Sequence, residues 1–303
     1  MSTVRILNLG SLNIDHVYQV DHIARPGETL SSASYRLFAG GKGANQSAAL
    51  GRAGADVHHA GRVGPDGRWL LDRLAAVGVD VAHVRLDEGP TGHAVIQVDP
   101  AGENAIFLFP GSNRALTHDQ VDTCLQDFTS GDILLLQNEI NLIPHILRQA
   151  SDRGLRIFLN PAPYGPEARE YPLDRVDVLV MNQSEAAGLG GLEHGADPAE
   201  LLDAVALRAP AAALVLTLGA RGALYRSGTE EIAVQAMPVR AVDTTGAGDT
   251  FIGYLIADLA RDRAPAEALR RAAAAAAVCC TRRGAMDSIP GADEVDDALA
   301  RWK

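Results

Sequence analysis

The chain has 303 residues, 47% of them apolar and 21% charged, the composition of a folded globular protein and not of a disordered one. Its 27 Lys and Arg against 38 Asp and Glu leave a formal charge of −11, so no basic surplus exists to displace phosphate counterions, which argues against general nucleic-acid binding. An anionic small molecule stays compatible with this balance, because a phosphate site can be built from backbone N–H groups. The apolar run at 272–280 falls far short of the roughly 20 residues of a membrane span. Asn8, Asn13 and Asp15 interrupt the first apolar stretch, so no signal peptide is expected. Three cysteines make no disulfide framework. A cytoplasmic protein that engages neither membrane nor nucleic acid is the expectation.

Residues 4–9 form a short apolar run ending at Gly10, the pattern of a buried first strand. From there to Phe38 the pattern is short, mixed and β-rich, with Pro26-Gly27 as a turn. Gly40-Gly41-Lys42-Gly43 opens a helix over 44–53, and Gly54 stands where a C-terminal glycine cap belongs. A strand at 57–63 leads to Asp66 as N-cap of a helix reaching Val77, with Gly78 behind it. Segments 94–98 and 105–109 flank Asp99-Pro100-Ala101-Gly102, whose Pro in second place and Gly in fourth suit a type I turn, so a hairpin is expected.

Regular alternation follows, with helices at 119–128, 142–151 and 198–208 and strands at 133–137, 156–160, 176–181 and 213–217. Gly219 to Gly222 leads into a second hairpin at 223–236, and helices at 247–260, 265–280 and 293–302 close the chain. Strands alternating with helices imply crossover connections and a mostly parallel sheet covered on both faces. The β-rich pieces at 11–38 and 91–110 interrupt the alternation and are expected to pair into a small separate sheet. Adjacent His58 and His59 point to opposite faces of their strand and share no ion. Cys279 and Cys280 read as small buried residues at a helix end, and Trp69 and Trp302 as packing residues.

The most informative segment is Asp243-Thr244-Thr245-Gly246-Ala247-Gly248-Asp249. Its small residues let successive N–H groups converge at a helix start, a concavity that favours a transferring phosphoryl group. Asp249 follows in the first helical turn, where a carboxylate takes the proton of a hydroxyl attacking phosphorus or merely stabilises the helix dipole. Gly40 to Gln46 matches neither a Walker A loop nor the GxGxxG dinucleotide fingerprint, since Gly43-Ala44 replaces the Ser/Thr and Gln46 the third glycine. Asn13, Asp15, Glu139 and Asn182 all follow predicted strands, where ligands of open α/β sheets collect.

Taken in order, Gly10-Ser11-Leu12-Asn13-Ile14-Asp15, Pro26-Gly27-Glu28-Thr29, Gly40 to Gln46, Asn160-Pro161-Ala162-Pro163, Asn182-Gln183-Ser184-Glu185, Thr217-Leu218-Gly219, Asp243 to Phe251 and Thr281-Arg282-Arg283-Gly284-Ala285 resemble the ribokinase branch of the ribokinase/phosphofructokinase-B family of sugar kinases. The resemblance spans about residue 4 to 290 and implies a three-layer α/β/α core with a mostly parallel central sheet, formed by 1–10, 39–90 and 111–303. Residues 11–38 and 91–110 would form a β-sheet lid. It further implies ATP-dependent phosphorylation of a pentose primary hydroxyl, D-ribose foremost, with deoxyribose, another sugar or a nucleoside as alternatives. Asn13, Asp15, Gly41, Lys42, Asn45 and Glu139 match sugar-binding positions. Asp249 matches the base, and Gly246, Ala247 and Gly248 the anion hole. Asn182, Thr217, Gly219, Gly222 and Gly248 match nucleotide contacts, and Glu185 a residue holding Mg2+ through water. Asp243, Thr245, Cys279, Arg282, Gly284 and Ser288 match a K+ site made largely of backbone carbonyls. A homodimer through the lid is expected.

Overall fold

The structure, a computed structural model, describes residues 4–302. It contains β1 (Arg5–Leu9), β2 (Asn13–Gln19), β3 (Ser34–Gly40), α1 (Lys42–Arg52), β4 (Asp56–Val63), α2 (Arg68–Ala75), β5 (Val79–Leu86), β6 (Gly92–Val98), β7 (Asn104–Phe109) and α3 (His118–Gln126). Then come β8 (Ile133–Gln137), α4 (Ile143–Asp152), β9 (Arg156–Asn160), β10 (Val178–Asn182), α5 (Gln183–Gly190), α6 (Pro198–Ala206), β11 (Ala213–Thr217), β12 (Ala223–Ser227), β13 (Glu230–Val234), α7 (Ala247–Leu259), α8 (Pro265–Cys280) and α9 (Ala292–Arg301).

Alternate residues of the central strands serve different cores. Ile6, Ile133, Leu135, Phe158, Val178 and Val180 pack with α1, α7 and α8 on one face. Leu7, Leu9, Leu134, Leu136, Ile157 and Leu159 pack with α3 to α6 on the other. A strand buried on both faces must be apolar at successive positions, which is why these strands read as short continuous runs. The resulting sheet has nine strands in the order β13-β12-β11-β10-β9-β8-β1-β4-β5, parallel except where β12 and β13 turn back at one edge. The strand order reverses at β1, which lies between β8 and β4, and an open α/β sheet binds ligands beyond the carboxyl ends of the strands at such a point. A second sheet, β3-β2-β6-β7, is formed by the two β-rich interruptions.

Two close approaches bring the helices to the sheet end. A Cβ at Gly43 would lie 2.7 Å from the Gly10 Cα, so the start of α1 rests directly on the chain leaving β1. A Cβ at Gly253 would lie 2.9 Å from the Leu50 backbone nitrogen, so α7 touches α1 one turn below Asp249 and Asn45. The alanines at 272–275 of α8 are buried against the same core, and small side chains let these helices close on one another.

The observed elements depart from the sequence expectation at a few places. Asp66 is not the N-cap of α2. It sits in a short 3-10 turn, and its carboxylate accepts Thr91 N at 3.0 Å and Thr91 Oγ1 at 2.6 Å. Gly67 takes the cap position. Strand β5 and helix α5 carry no strong periodicity and were not expected; β5 pairs with β4 at the sheet edge, and α5 is nucleated by a side-chain capping box between Asn182 and Glu185. His58 and His59 do face opposite ways, His58 half-buried beside Asp56 and Asp80 and His59 fully buried.

Burial holds His59 as the neutral ring, with its pKa lowered to about 4. Below pH 6.5 the unfolded chain takes up a proton that the buried ring refuses, so stability falls as pH drops from 6.5 to 4, by up to about 3 kcal/mol. Urea unfolding at several pH values should show this slope, and His59→Asn should be less stable at pH 7.5 yet flatter across the same window. An identical slope in the variant would assign the acid sensitivity elsewhere.

Candidate active site

The chain leaving β1 wraps the start of α1. Ala44 N donates to Ser11 O at 2.8 Å and Gly43 N to Ser11 Oγ at 3.1 Å. Ser11 Oγ in turn donates to Glu139 Oε2, which also accepts Lys42 N at 2.9 Å. Glu139 follows β8, so this pair of bonds spans the point where the strand order reverses. Burial pushes the Glu139 carboxyl up, against the lowering effect of Ser11 and Lys42.

Asn13 and Asp15 lie on one face of β2, two residues apart. Asn113, in the turn after β7, donates Nδ2 to Asn13 Oδ1 at 2.7 Å and accepts Leu12 N at 3.0 Å. That leaves the Asn13 amide nitrogen as the group available to a ligand. Asp15 is pushed up to about 7, first by burial and then by the charge of Glu139. One donor beside one carboxylate is the pairing that adjacent hydroxyls require.

Asp249 is buried in the first turn of α7, behind Gly246, whose φ of 76° places it in the left-handed region. Its Oδ2 accepts Asn45 Nδ2 at 3.0 Å and its Oδ1 accepts Gln46 Nε2 at 2.9 Å. Asn45 Oδ1 is buried with no hydrogen-bond partner among the described residues, an acceptor open to a ligand hydroxyl. The N–H groups of the first helical turn have no intrahelical acceptor. That of Ala247 is engaged by Thr244 O at 3.2 Å, so of the three small residues Gly246 and Gly248 offer the freer donors.

A cleft of about 220 Å3 opens beside this turn, with Lys42, Asn182, Glu185, Thr217, Gly246, Gly248 and Asp249 among its lining residues. Lys42 is held charged first by Asp249 and also by Glu139 and Glu185. It lines the cleft while its backbone N–H holds Glu139, and so stands between the polar cluster of Asn13, Asp15, Asn45 and Glu139 and the cleft. Gly219 and Gly222 are not in its lining; they form the tight turn after β11, where Leu218 N donates to Gly222 O at 2.8 Å. Gly41 caps the start of α1.

Glu185 reaches back to the start of its own helix, accepting Asn182 N at 2.9 Å and Asn182 Nδ2 at 2.8 Å. Each oxygen keeps a lone pair, and burial raises the carboxyl pKa. That donor set suits a hydrated Mg2+ held through water.

The loops around 243–246 and 281–288 are fastened together. Asp243 accepts Thr245 N at 2.9 Å, Thr245 Oγ1 at 2.6 Å and Gly284 N at 2.9 Å. Burial alone would raise its pKa; these hydrogen bonds outweigh it and hold the carboxylate below its usual range. Cys279 Sγ lies 3.8 Å from Thr245 O and 3.0 Å from Ser288 Oγ, and Ser288 Oγ donates to Ala285 O at 2.7 Å. Arg282 turns its guanidinium away to Glu294. Among the described residues no cluster of three His, Cys, Asp or Glu side chains could hold a metal. The groups gathered here are the Asp243 carboxylate, the hydroxyls of Thr245 and Ser288 and the Cys279 thiol, mostly hard oxygen donors of the kind that suits a monovalent cation.

Sequence reasoning missed Asn8, Gln46, Asn113, Gln137 and Asn160 as site-building residues. Four of them stand out as polar residues set within or at the end of apolar runs: Asn8 in Ile6-Leu7-Asn8-Leu9, Gln46 before Ser47-Ala48-Ala49-Leu50, Gln137 after Leu134-Leu135-Leu136 and Asn160 after Phe158-Leu159.

Comparison with known proteins places the chain among sugar kinases. The chain is 35% identical to a ribokinase of Haemophilus influenzae over 298 residues, covering 96% of this chain and 97% of that one. It is 36% identical to a ribokinase of Schizosaccharomyces pombe, with 98% of each chain covered. The solved Arabidopsis thaliana ribokinase complexed with ribose and ATP superimposes with a TM-score of 0.86 at 29% identity, covering 99% of both chains. The model of the pfkB family of carbohydrate kinases matches residues 4–292, both polar clusters included, and the chain belongs to that family.

Proposed function

We propose that the protein transfers the γ-phosphate of ATP to the primary hydroxyl of a pentose, converting D-ribose to D-ribose 5-phosphate. The observation that carries this reading is the Asp249 carboxylate, buried and held by two side-chain amides where the polar cluster meets the cleft. The ribokinases it resembles over almost their whole length, one of them solved with ribose and ATP, support the choice of sugar and donor.

Asn13, Asp15, Asn45 and Glu139 hold the sugar hydroxyls, with Gly41 and Lys42 closing the same pocket. Asp249 accepts the proton of the attacking hydroxyl. The N–H groups at Gly246 and Gly248, backed by the dipole of α7, stabilise charge growing on the phosphoryl oxygens, with Ala247 holding the turn between them. Lys42 adds a positive charge between the two reactants. Asn182 and Thr217 line the phosphate end, and Gly219 and Gly222 shape the turn on which the nucleotide lies. Mg2+, held through water by Glu185, supplies neutralisation of the phosphate oxygens when bound. The loop pair of Asp243, Thr245, Cys279, Arg282, Gly284 and Ser288 would hold K+, which would order the backbone of the anion hole when bound.

The small sheet made by 11–38 and 91–110 acts as a lid that excludes water from the transferring group. On one face of it the edge strands β3 and β7 expose Tyr35, Leu37, Phe107 and Phe109, and exposed apolar side chains of this kind favour burial against a second copy. The proposal includes a homodimer through this sheet, working in the cytoplasm. No helix among the described residues is long and apolar enough to cross a membrane.

The decisive assay offers ATP and a panel of D-ribose, 2-deoxy-D-ribose, D-fructose and a nucleoside, with products identified by NMR, in buffers with and without potassium. Ribose phosphorylated at O5 with the highest kcat/KM, and a lower rate without potassium, is the expected outcome. Preference for another acceptor would overturn the sugar assignment, and indifference to potassium the cation assignment.

A further inference from the structure

The catalytic carboxylate is the end of a chain of buried side-chain amides that no part of the phosphate or sugar site accounts for. Asn8, Gln46 and Gln137 are fully buried, and they come from β1, α1 and β8 respectively. Asn8 Nδ2 donates to Gly43 O at 2.8 Å and to Ser47 Oγ at 2.8 Å. Gln137 Nε2 donates to Asn8 Oδ1 at 3.0 Å and to Gln46 Oε1 at 2.7 Å. Gln46 Nε2 donates to Asp249 Oδ1 at 2.9 Å and to Asn160 Oδ1 at 3.2 Å. Asn160 Nδ2 donates to Val180 O at 2.9 Å.

The direction of every link follows from two backbone carbonyls, which can only accept. Gly43 O requires the nitrogen of Asn8 to face it, so Asn8 turns its oxygen to Gln137. Gln137 must then present its nitrogen, and the atom of Gln46 that meets it must be oxygen. That leaves the Gln46 nitrogen facing Asp249. Starting from the other end, Val180 O requires the nitrogen of Asn160, whose oxygen faces Gln46 and again demands its nitrogen. Both anchors give the same answer. Gln137 Oε1 is left buried without a partner among the described residues. Flipping that amide would set oxygen against both Asn8 Oδ1 and Gln46 Oε1, so the unpaired oxygen is the cheaper arrangement.

We propose that Gln46, its amide direction locked by Gln137 and Asn160, is a positioning residue that aims the Asp249 carboxylate at the acceptor hydroxyl. The Asp249 carboxylate by itself favours the nitrogen of a neighbouring glutamine; the bonds to Gln137 and Asn160 add a fixed orientation, so that this N–H meets Asp249 at one place. The inference rests on the reading of Asp249 as base. It goes beyond that reading in assigning a role in turnover to Gln137, which contacts neither sugar nor phosphate.

Two substitutions at 137 separate polarity from packing. Gln137→Glu replaces the donor by a carboxylate, which repels the Gln46 oxygen it faces and competes with Asp249 and Asn160 for the Gln46 nitrogen. Gln137→Met removes the donor without adding that competing charge and leaves Asn160 to hold Gln46. Steady-state kinetics should give a kcat loss of about 100-fold for Gln137→Glu and about tenfold or less for Gln137→Met, with sugar and ATP KM within threefold of wild type. The ratio of Gln137→Glu to wild-type kcat should rise as pH falls, because the introduced carboxyl can donate again once it is protonated. Equal losses for the two variants, a KM change matching the kcat loss, or a pH-independent ratio would overturn the proposal.

Asp249→Asn measured alongside distinguishes the two failures. An active Asp249→Asn sinks the base reading itself, whereas an inactive one beside a normal Gln137→Glu sinks the amide chain alone. Should the position 137 variants not fold, the wild-type enzyme decides. With 15N-labelled glutamine, the Gln46 side-chain NH2 should exchange with solvent at least 100-fold more slowly than exposed glutamines, and exchange at the exposed rate overturns the proposal.

Discussion

Asp249→Asn should lower kcat by about 10³-fold while leaving the KM for sugar within about threefold, since a positioned general base contributes some 10²–10⁴ in rate. The substitution preserves size, but it does more than remove a charge. Both oxygens of Asp249 face N–H donors, Asn45 Nδ2 and Gln46 Nε2. Whichever way the new amide turns, its nitrogen meets one of those donors and loses a hydrogen bond. Asp249→Glu keeps the charge but moves it by a methylene and should recover less than a tenth of the activity, because reacting groups must be held close to the productive geometry. Coupled-assay turnover by Asp249→Asn within tenfold of wild type would remove the residue from the chemistry.

Asp15→Asn should have the second largest effect, and in opposite senses on binding and on stability. Hydrogen bonds to a charged group contribute about 1.5–3 kcal/mol each, so losing the carboxylate from two hydroxyl contacts should raise the sugar KM by roughly 100-fold with a much smaller change in kcat. The empty protein gains. In the folded chain Asp15 titrates near 7, whereas an unhindered aspartate titrates at 3.8. Between those values the folded state holds the extra proton, so the Asp15 contribution to stability declines as pH rises through the window and is most unfavourable above 7. Asp15→Asn removes that cost, and calorimetry at pH 8 should show a raised Tm, by roughly 2–4 °C for each kcal/mol recovered.

The gain should shrink toward pH 4. Sugar binding by the wild type should weaken as pH falls through 7, and this dependence should disappear in the variant. A lower Tm at pH 8, or an unchanged sugar KM, would show that Asp15 is a structural residue.

The fold was legible wherever a segment was apolar in a regular way, at successive positions of a doubly buried strand or along one face of a helix. Strands 133–137, 156–160 and 213–217 and helix 265–280 have the bounds that their apolar runs and flanking residues suggested. Two elements escaped for physical reasons. Strand β5 is an edge strand whose residues alternate irregularly between buried and exposed, so it has no strong period. Helix α5 is only eight residues long and owes its start to the Asn182–Glu185 capping box, a side-chain interaction and not an apolar stripe. Asp66 illustrates the converse error. A residue type suited to capping a helix was drawn into a long-range bond with Thr91, 25 positions away, which no local pattern records.

The amino-acid sequence by itself determined the alternating α/β architecture, the family motifs and the candidacy of Asp249, because each depends on local periodicity or on residues close together in the chain. Only the tertiary structure decided how those pieces work as one site. Asp249 meets Asn45 across 204 positions because Gly253 lets α7 lie against α1, and Glu139 meets Ser11 across 128 positions because β8 and β1 are neighbours where the sheet reverses its order. The buried amides are the sharpest case: Asn8, Gln46, Gln137 and Asn160 are ordinary polar residues one by one. Their meaning lies in the direction of donors and acceptors, which two backbone carbonyls impose once four separate segments have packed together.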